Sequence, residues 1–130
     1  MKIKIPISAG ELVDKLTILE IKSVMIKDEV KLAEVQKEKE QLTAELNKFI
    51  KSKKLDLFTS KADLYEVNFT LWKIEDKIRG CERNKDFGEA FIQLARDVYH
   101  RNDMRFKIKN YINQLTNSDI KEVKSYESYS

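Results

Sequence analysis

Ile7-Ser8-Ala9-Gly10-Glu11-Leu12-Val13-Asp14-Lys15-Leu16-Thr17-Ile18-Leu19 is the stretch on which the fold turns. Ser8 and Glu11 stand in capping-box register, and Ile7 with Leu12 can close a hydrophobic staple around them, so a helix must begin here. Leu12, Leu16 and Leu19 then recur at the spacing that keeps side chains on one helical face, and the series runs on to Ile26 and Val30. This is the opening of an amphipathic helix that needs partners along its length.

Working outward, Leu32, Val35, Leu42, Leu46 and Phe49 form a second series one residue out of phase with the first. A kink or break near Asp28 reconciles the two, with Asp28 as cap of a new helix; an unbroken helix with a rotated stripe is the alternative, because no Gly or Pro forces the issue. The pattern lapses between Lys51 and Ser60. Ser60 with Asp63 then resembles a cap for the heptad-spaced series Leu64, Val67, Leu71, Ile74, Ile78 and Cys81, of coiled-coil type, with Phe69 and Trp72 widening the apolar face. Asp86 with Glu89 opens a last helix whose stripe runs through Phe87, Phe91, Leu94, Val98, Ile108, Ile112 and Leu115. Arg101, Asn102 and Arg105 interrupt that stripe in the middle.

Before the first helix, Lys2-Ile3-Lys4-Ile5 alternates polar and apolar residues up to Pro6, the period of a short half-buried strand. The tail from Ile120 to Tyr126 is too short for a stable lone helix and is read as extended, available to pair with that strand. The expected architecture is therefore all-α in the main: one domain over residues 1–130, an antiparallel bundle of three to four long helices, with a short two-stranded pairing of the two ends as an added feature. The stripes are long enough for a shared seam in a homodimer.

Composition agrees. Charged residues make up 36% and apolar residues 42%, with one Pro and three Gly, which suits long charged helices. There is no apolar run of the roughly 18 residues a membrane helix needs, and the amino-terminal residues lack the roughly 7 to 15 apolar residues of a secretory signal. A lone cysteine, Cys81, fits a reducing compartment, so the expected location is cytoplasmic. The net charge of +3, with 25 basic and 22 acidic residues, gives no field of the strength nucleic-acid binders carry. The lysines 48, 51, 53, 54 and 61 accordingly read as a solvated turn.

The chain has no phosphate-binding glycine loop, nucleophile elbow or Cys/His metal spacing. His100, off the apolar stripe, reads as an ordinary surface or partly buried residue, Cys81 as a buried structural thiol on the seam, and Trp72 with Phe69 as core. The arginines are more informative. Every basic residue before position 79 is lysine, yet Arg79, Arg83, Arg96, Arg101 and Arg105 all follow within a stretch whose only lysine is Lys85. Arg79 with Arg83, and Arg101 with Arg105, are i,i+4 pairs, and the guanidinium fork suits bidentate contact with carboxylate or phosphate. One reading is a site for an anionic small molecule or acidic partner made by Lys15, Arg79, Arg101, Asn102 and Arg105. The other pairs the arginines with Glu75, Asp76, Asp97 and Asp103 inside the bundle. Glu11 and Asp14 with Glu75 and Asp76 supply an alternative carboxylate set for Mg²⁺, as in a metal-dependent enzyme acting on a phosphorylated small molecule of the pyrophosphate-hydrolase type.

The opening from Pro6 to Lys22, the segments Leu71 to Arg79 and Phe91 to Tyr99, the run Asn102-Asp103-Met104-Arg105 and the ending Lys124-Ser125-Tyr126 together resemble a family of small uncharacterised bacterial and phage proteins, a domain of unknown function. The resemblance implies a standalone cytoplasmic domain whose characteristic residues include the polar ones named above. It brings no activity with it.

Overall fold

A computed structural model describes residues 1–129. It contains four helices, α1 (Ala9–Met25), α2 (Glu29–Lys53), α3 (Phe58–Arg83) and α4 (Glu89–Leu115), and no strand among the described residues. None of these helices is long and apolar enough to cross a membrane.

The start of α1 follows from its sequence. Ser8 is the N-cap, its hydroxyl accepting from the Glu11 N–H at 3.1 Å. The two out-of-phase stripes resolve as a break: Ile26 is extended at φ −82 and ψ 134, and Asp28 caps α2 by accepting from the Lys31 N–H at 2.9 Å. The boundary of α3 differs from the expectation. Ser60 lies inside the helix and is buried, and Asp56 instead receives the Phe58 N–H at 3.0 Å, which moves the start upstream and drives Leu57 into the core. Gly88 is the N-cap of α4, with Asp86 accepting from its N–H at 3.2 Å.

α1 packs against all three other helices and α3 against α4, whereas α2 packs against α1 alone. That arrangement explains the uneven burial of the stripes. Val13, Leu16, Leu46, Leu57, Leu64 and Ile112 form the central cluster, each at most 4% exposed. Full burial of such a side chain stabilises by about 1.5–3 kcal/mol. On α2 only Leu46 is fully buried, and Val30, Phe87 and Leu115 stand exposed although they belong to the sequence stripes. A helix with one neighbour has one narrow seam to bury.

The expected pairing of the two ends is overturned. Residues 1–6 are exposed and irregular, and the carboxy-terminal segment folds back along α4. Glu122 reaches Lys109, Lys124 reaches Asp103, and the Tyr129 ring lies against Tyr99 and His100. The segment runs antiparallel to α4, drawn there by charges on that helix. A turn at Asn117, in the left-handed region at φ 51, reverses the chain.

α1 and α4 are in close backbone contact at Gly10. Its N–H donates to Asn113 Oδ1 at 2.7 Å, and a Cβ there would stand 2.4 Å from the Lys109 carbonyl oxygen, backbone that cannot swing aside. Gly10→Ala is expected to cost roughly 1–3 kcal/mol by forcing the helices apart. Gly80→Ala, whose Cβ would meet only the flexible Arg83 Nη2 at 3.7 Å, should gain about 0.5–1 kcal/mol from helix propensity. Thermal melts of the two variants beside the parent protein check both signs.

Candidate functional site

One face of α1 is polar where a bundle core is expected to be apolar. Gly10, Asp14 and Thr17 are buried in step with Val13 and Ile21, at the spacing that keeps them on one side of the helix. Asp14 and Thr17 are wholly inaccessible. An isolated carboxylate there would be costly, and two neighbouring helices converge to meet it. Arg105 of α4 clamps it with both arms: Nε donates to Oδ1 at 2.9 Å and Nη2 to Oδ2. Asn68 of α3 donates from Nδ2 to Asp14 Oδ1 and to Thr17 Oγ1, both at 2.9 Å, and the Thr17 hydroxyl donates to the Asp14 carbonyl at 2.8 Å. Burial alone would raise the Asp14 carboxyl, but the hydrogen bonds from Arg105 and Asn68, with the positive charges of Arg105 and Lys109, outweigh it and hold the group below the usual carboxylate range. The same carboxylate raises the Arg105 guanidinium further above its ordinary value.

One turn further along α4, Lys109 is almost as deeply set, with 6% of its side chain exposed. Its Nζ lies 2.9 Å from Glu11 Oε2 and 2.9 Å from Glu122 Oε2. Burial would lower the ammonium, and the two carboxylates more than offset that, leaving it raised. Beyond it, Lys124 sits over the rings of Phe106 and Tyr126 at 5.6 and 5.5 Å while bonding Asp103. Asp103 is held below its ordinary value by Lys124 first and then by the Tyr129 hydroxyl.

Two hollows flank this charged row. A cleft of about 510 Å³ between α4 and the returning segment is lined by Asn102, Arg105, Phe106, Lys109 and residues 122–126. A recess of about 310 Å³ among α1, α3 and α4 is lined by Ile18, Ile21, Leu71, Trp72, Val98, Asn68 and Glu75, again with Asn102 and Arg105. The two hollows share Asn102 and Arg105.

Of the residues singled out in the sequence, Arg105 and Asn102 are therefore brought to one place. Lys15 is exposed, Arg79 is exposed and bonds Glu75 at 3.1 Å within its own helix, and Arg101 reaches Met104 Sδ at 3.7 Å. Of the expected internal pairings, Glu75 takes Arg79, while Arg105 takes Asp14 on another helix. The carboxylates of the alternative metal set are dispersed: Glu11 goes to Lys109, Asp14 to Arg105, Glu75 to Arg79, and Asp76 is exposed. Among the described residues no three His, Cys, Asp or Glu side chains gather as a metal site. Sequence reasoning missed Asn68, Lys109, Asn113, Glu122 and Lys124. The 10-14-17 spacing of small and polar residues on the first helix was the available signal for a polar partner set on a neighbouring helix.

The chain matches the family of unknown function DUF6165 over residues 1–129. It belongs to that family. No curated protein and no solved structure matches it. In this DUF6165 domain the charged row of α4 and its partners is where buried ionic groups gather.

Asp14→Asn leaves the half-buried Arg105 without its counter-charge, and since breaking a fully buried pair costs about 3–5 kcal/mol, the loss here is expected to be smaller, roughly 1–3 kcal/mol. Because the native carboxyl is depressed, its contribution is complete above the ordinary value of about 3.9 and is lost as pH falls through the lower native value. Urea melts across the acid range are expected to show that loss in the parent protein and a flatter profile in Asp14→Asn.

Proposed function

We propose that this domain is a non-enzymatic binding protein for a small ligand with an anionic group and an apolar body. The observation that carries the reading is the convergence of Asn102, Arg105, Lys109 and Lys124 on one cleft, with Asn102 and Arg105 also lining a second recess walled by Trp72. Arg105 spends Nε and Nη2 on Asp14, and its remaining guanidinium N–H groups, with the Asn102 amide, supply donors for an incoming oxyanion. Ile18, Ile21, Leu71 and Val98 with the Trp72 face suit an apolar or aromatic body, and the volumes fall in the range of small-molecule sites. The metal-dependent hydrolase reading has no comparable support, because the acids it needs are each committed elsewhere or exposed.

The reading places the domain in the cytoplasm, in a bacterial or phage setting, and working as a dimer. Support for self-association is the single helix neighbour of α2, which leaves most of its surface, Val30 included, open to a second copy.

Asn102 is half-buried between both hollows, which makes its substitution a clean probe. A thermal-shift screen of anionic metabolites should find compounds that raise the melting temperature, since a ligand bound to the native state stabilises it. Asn102→Leu is expected to keep the fold and weaken those compounds by about tenfold, or ~1.4 kcal/mol. A screen in which no anion shifts the parent protein, or in which Asn102→Leu responds like the parent, would count against the proposal.

A further inference from the structure

We infer that the chain fills this cleft with its own ligand surrogate: the Glu122 carboxylate stands where the anionic group of the ligand binds, and the group that exchanges for it is a single carboxylate. The inference rests on the reading of the cleft as a ligand site and adds which group the ligand carries and what it displaces.

Lys109 is the hub. Its buried ammonium is held by two carboxylates that differ in how they are attached. Glu11 belongs to the first turn of α1, whose backbone is tied down by the Ser8 cap and by the bond from Gly10 N–H to Asn113. Glu122 belongs to a segment with no helix or strand. Glu11 can leave only by rotating its side chain, whereas Glu122 can leave together with its backbone, which no helix or strand holds. The segment is anchored on either side of it, by the Ser118 N–H on the Asn113 carbonyl at 2.9 Å and by Lys124 on Asp103. Between those anchors lies a strap whose Glu122 side chain is 41% exposed, so water already reaches the bond that must break.

Charge selects the class of group. With Glu122 withdrawn, the three cations at the cleft, Arg105, Lys109 and Lys124, are matched by Asp14, Glu11 and Asp103. A monocarboxylate then replaces Glu122 one charge for one charge and restores the second partner of Lys109. A phosphate dianion would place an additional negative charge close to Glu11 and Asp14, in surroundings that screen it less than water does. Asn102 and Arg105 line both the cleft and the Trp72 recess, so an arylalkyl carboxylate held at Lys109 lies beside residues that Trp72 also faces.

Trp72 is the only tryptophan, so its fluorescence reports occupancy of the recess. Phenylacetate and phenyl phosphate are the probes, titrated into the parent protein and into Glu122→Gln, with calorimetry alongside. Phenylacetate should bind the parent, bind Glu122→Gln about tenfold more tightly, and bind both better than phenyl phosphate does. Amide NMR signals of residues 119–123 in the parent should shift on phenylacetate addition and not on addition of an equal concentration of chloride. Equal phenylacetate affinity in the two proteins, with those signals unmoved, overturns the surrogate role of Glu122 while leaving the cleft a binding site. Preference for phenyl phosphate overturns the assignment to a carboxylate. Failure of both probes to bind either protein overturns the binding reading itself.

Discussion

The bond between Asp14 and Arg105 is the constraint on which the rest of the structure depends. A carboxylate with no solvent access must be neutralised and hydrogen-bonded in place, and only a helix passing close beside α1 can do both. Arg105 fixes the rotation of α4 about its axis, Asn68 fixes that of α3, and Thr17 fills the remaining angle between them. Three helices are thus registered by one side chain. Apolar packing of Leu16, Leu64 and Ile112 supplies cohesion, but it is tolerant of small slides in a way that a bidentate ion pair is not.

Close contact at Gly10 extends the same registration by one turn. Without a side chain there, the α1 backbone can lie against the carbonyl of Lys109, which brings Glu11 within reach of the Lys109 ammonium. Glu11 was legible as a capping residue, and its backbone N–H does serve the Ser8 cap. Its carboxylate, though, is committed across the helix interface. One residue therefore joins the local logic of a helix start to the tertiary logic of the charged row.

Much of the fold was readable because it is local. The Ser8 and Asp28 caps and the phase change between the first two stripes depend on residues a few positions apart, and the structure keeps each of them, whereas Gly88 replaces Asp86 as the cap of α4. The start of α3 was misplaced because Ser60 and Asp56 offer competing caps and burial of Leu57 decides between them. The site was only half readable. Arg105 and Asn102 announced themselves by interrupting an apolar stripe, but the partners of Arg105 lie on helices remote in sequence, and no spacing rule links position 14 to positions 68 and 105. The carboxy-terminal segment was unreadable for a related reason. Its place is set by single contacts to Lys109, Asp103 and the Tyr99–His100 pair, none of which leaves a periodic trace.

Stability by itself does not require this arrangement. Replacing a buried ion pair and its hydrogen-bonding neighbours by well-packed apolar residues is often neutral or stabilising, so a bundle with apolar residues at positions 14, 68 and 105 would close at least as well. What an apolar core would lose is the other side of Arg105, the guanidinium edge that lines both hollows. The pair fixes a cationic edge that lines both a polar cleft and an aromatic recess, and does so with a carboxylate too deeply buried to compete for what enters. The costly element of the core is thus the element that positions the candidate site, which is the physical reason to read the two as one device.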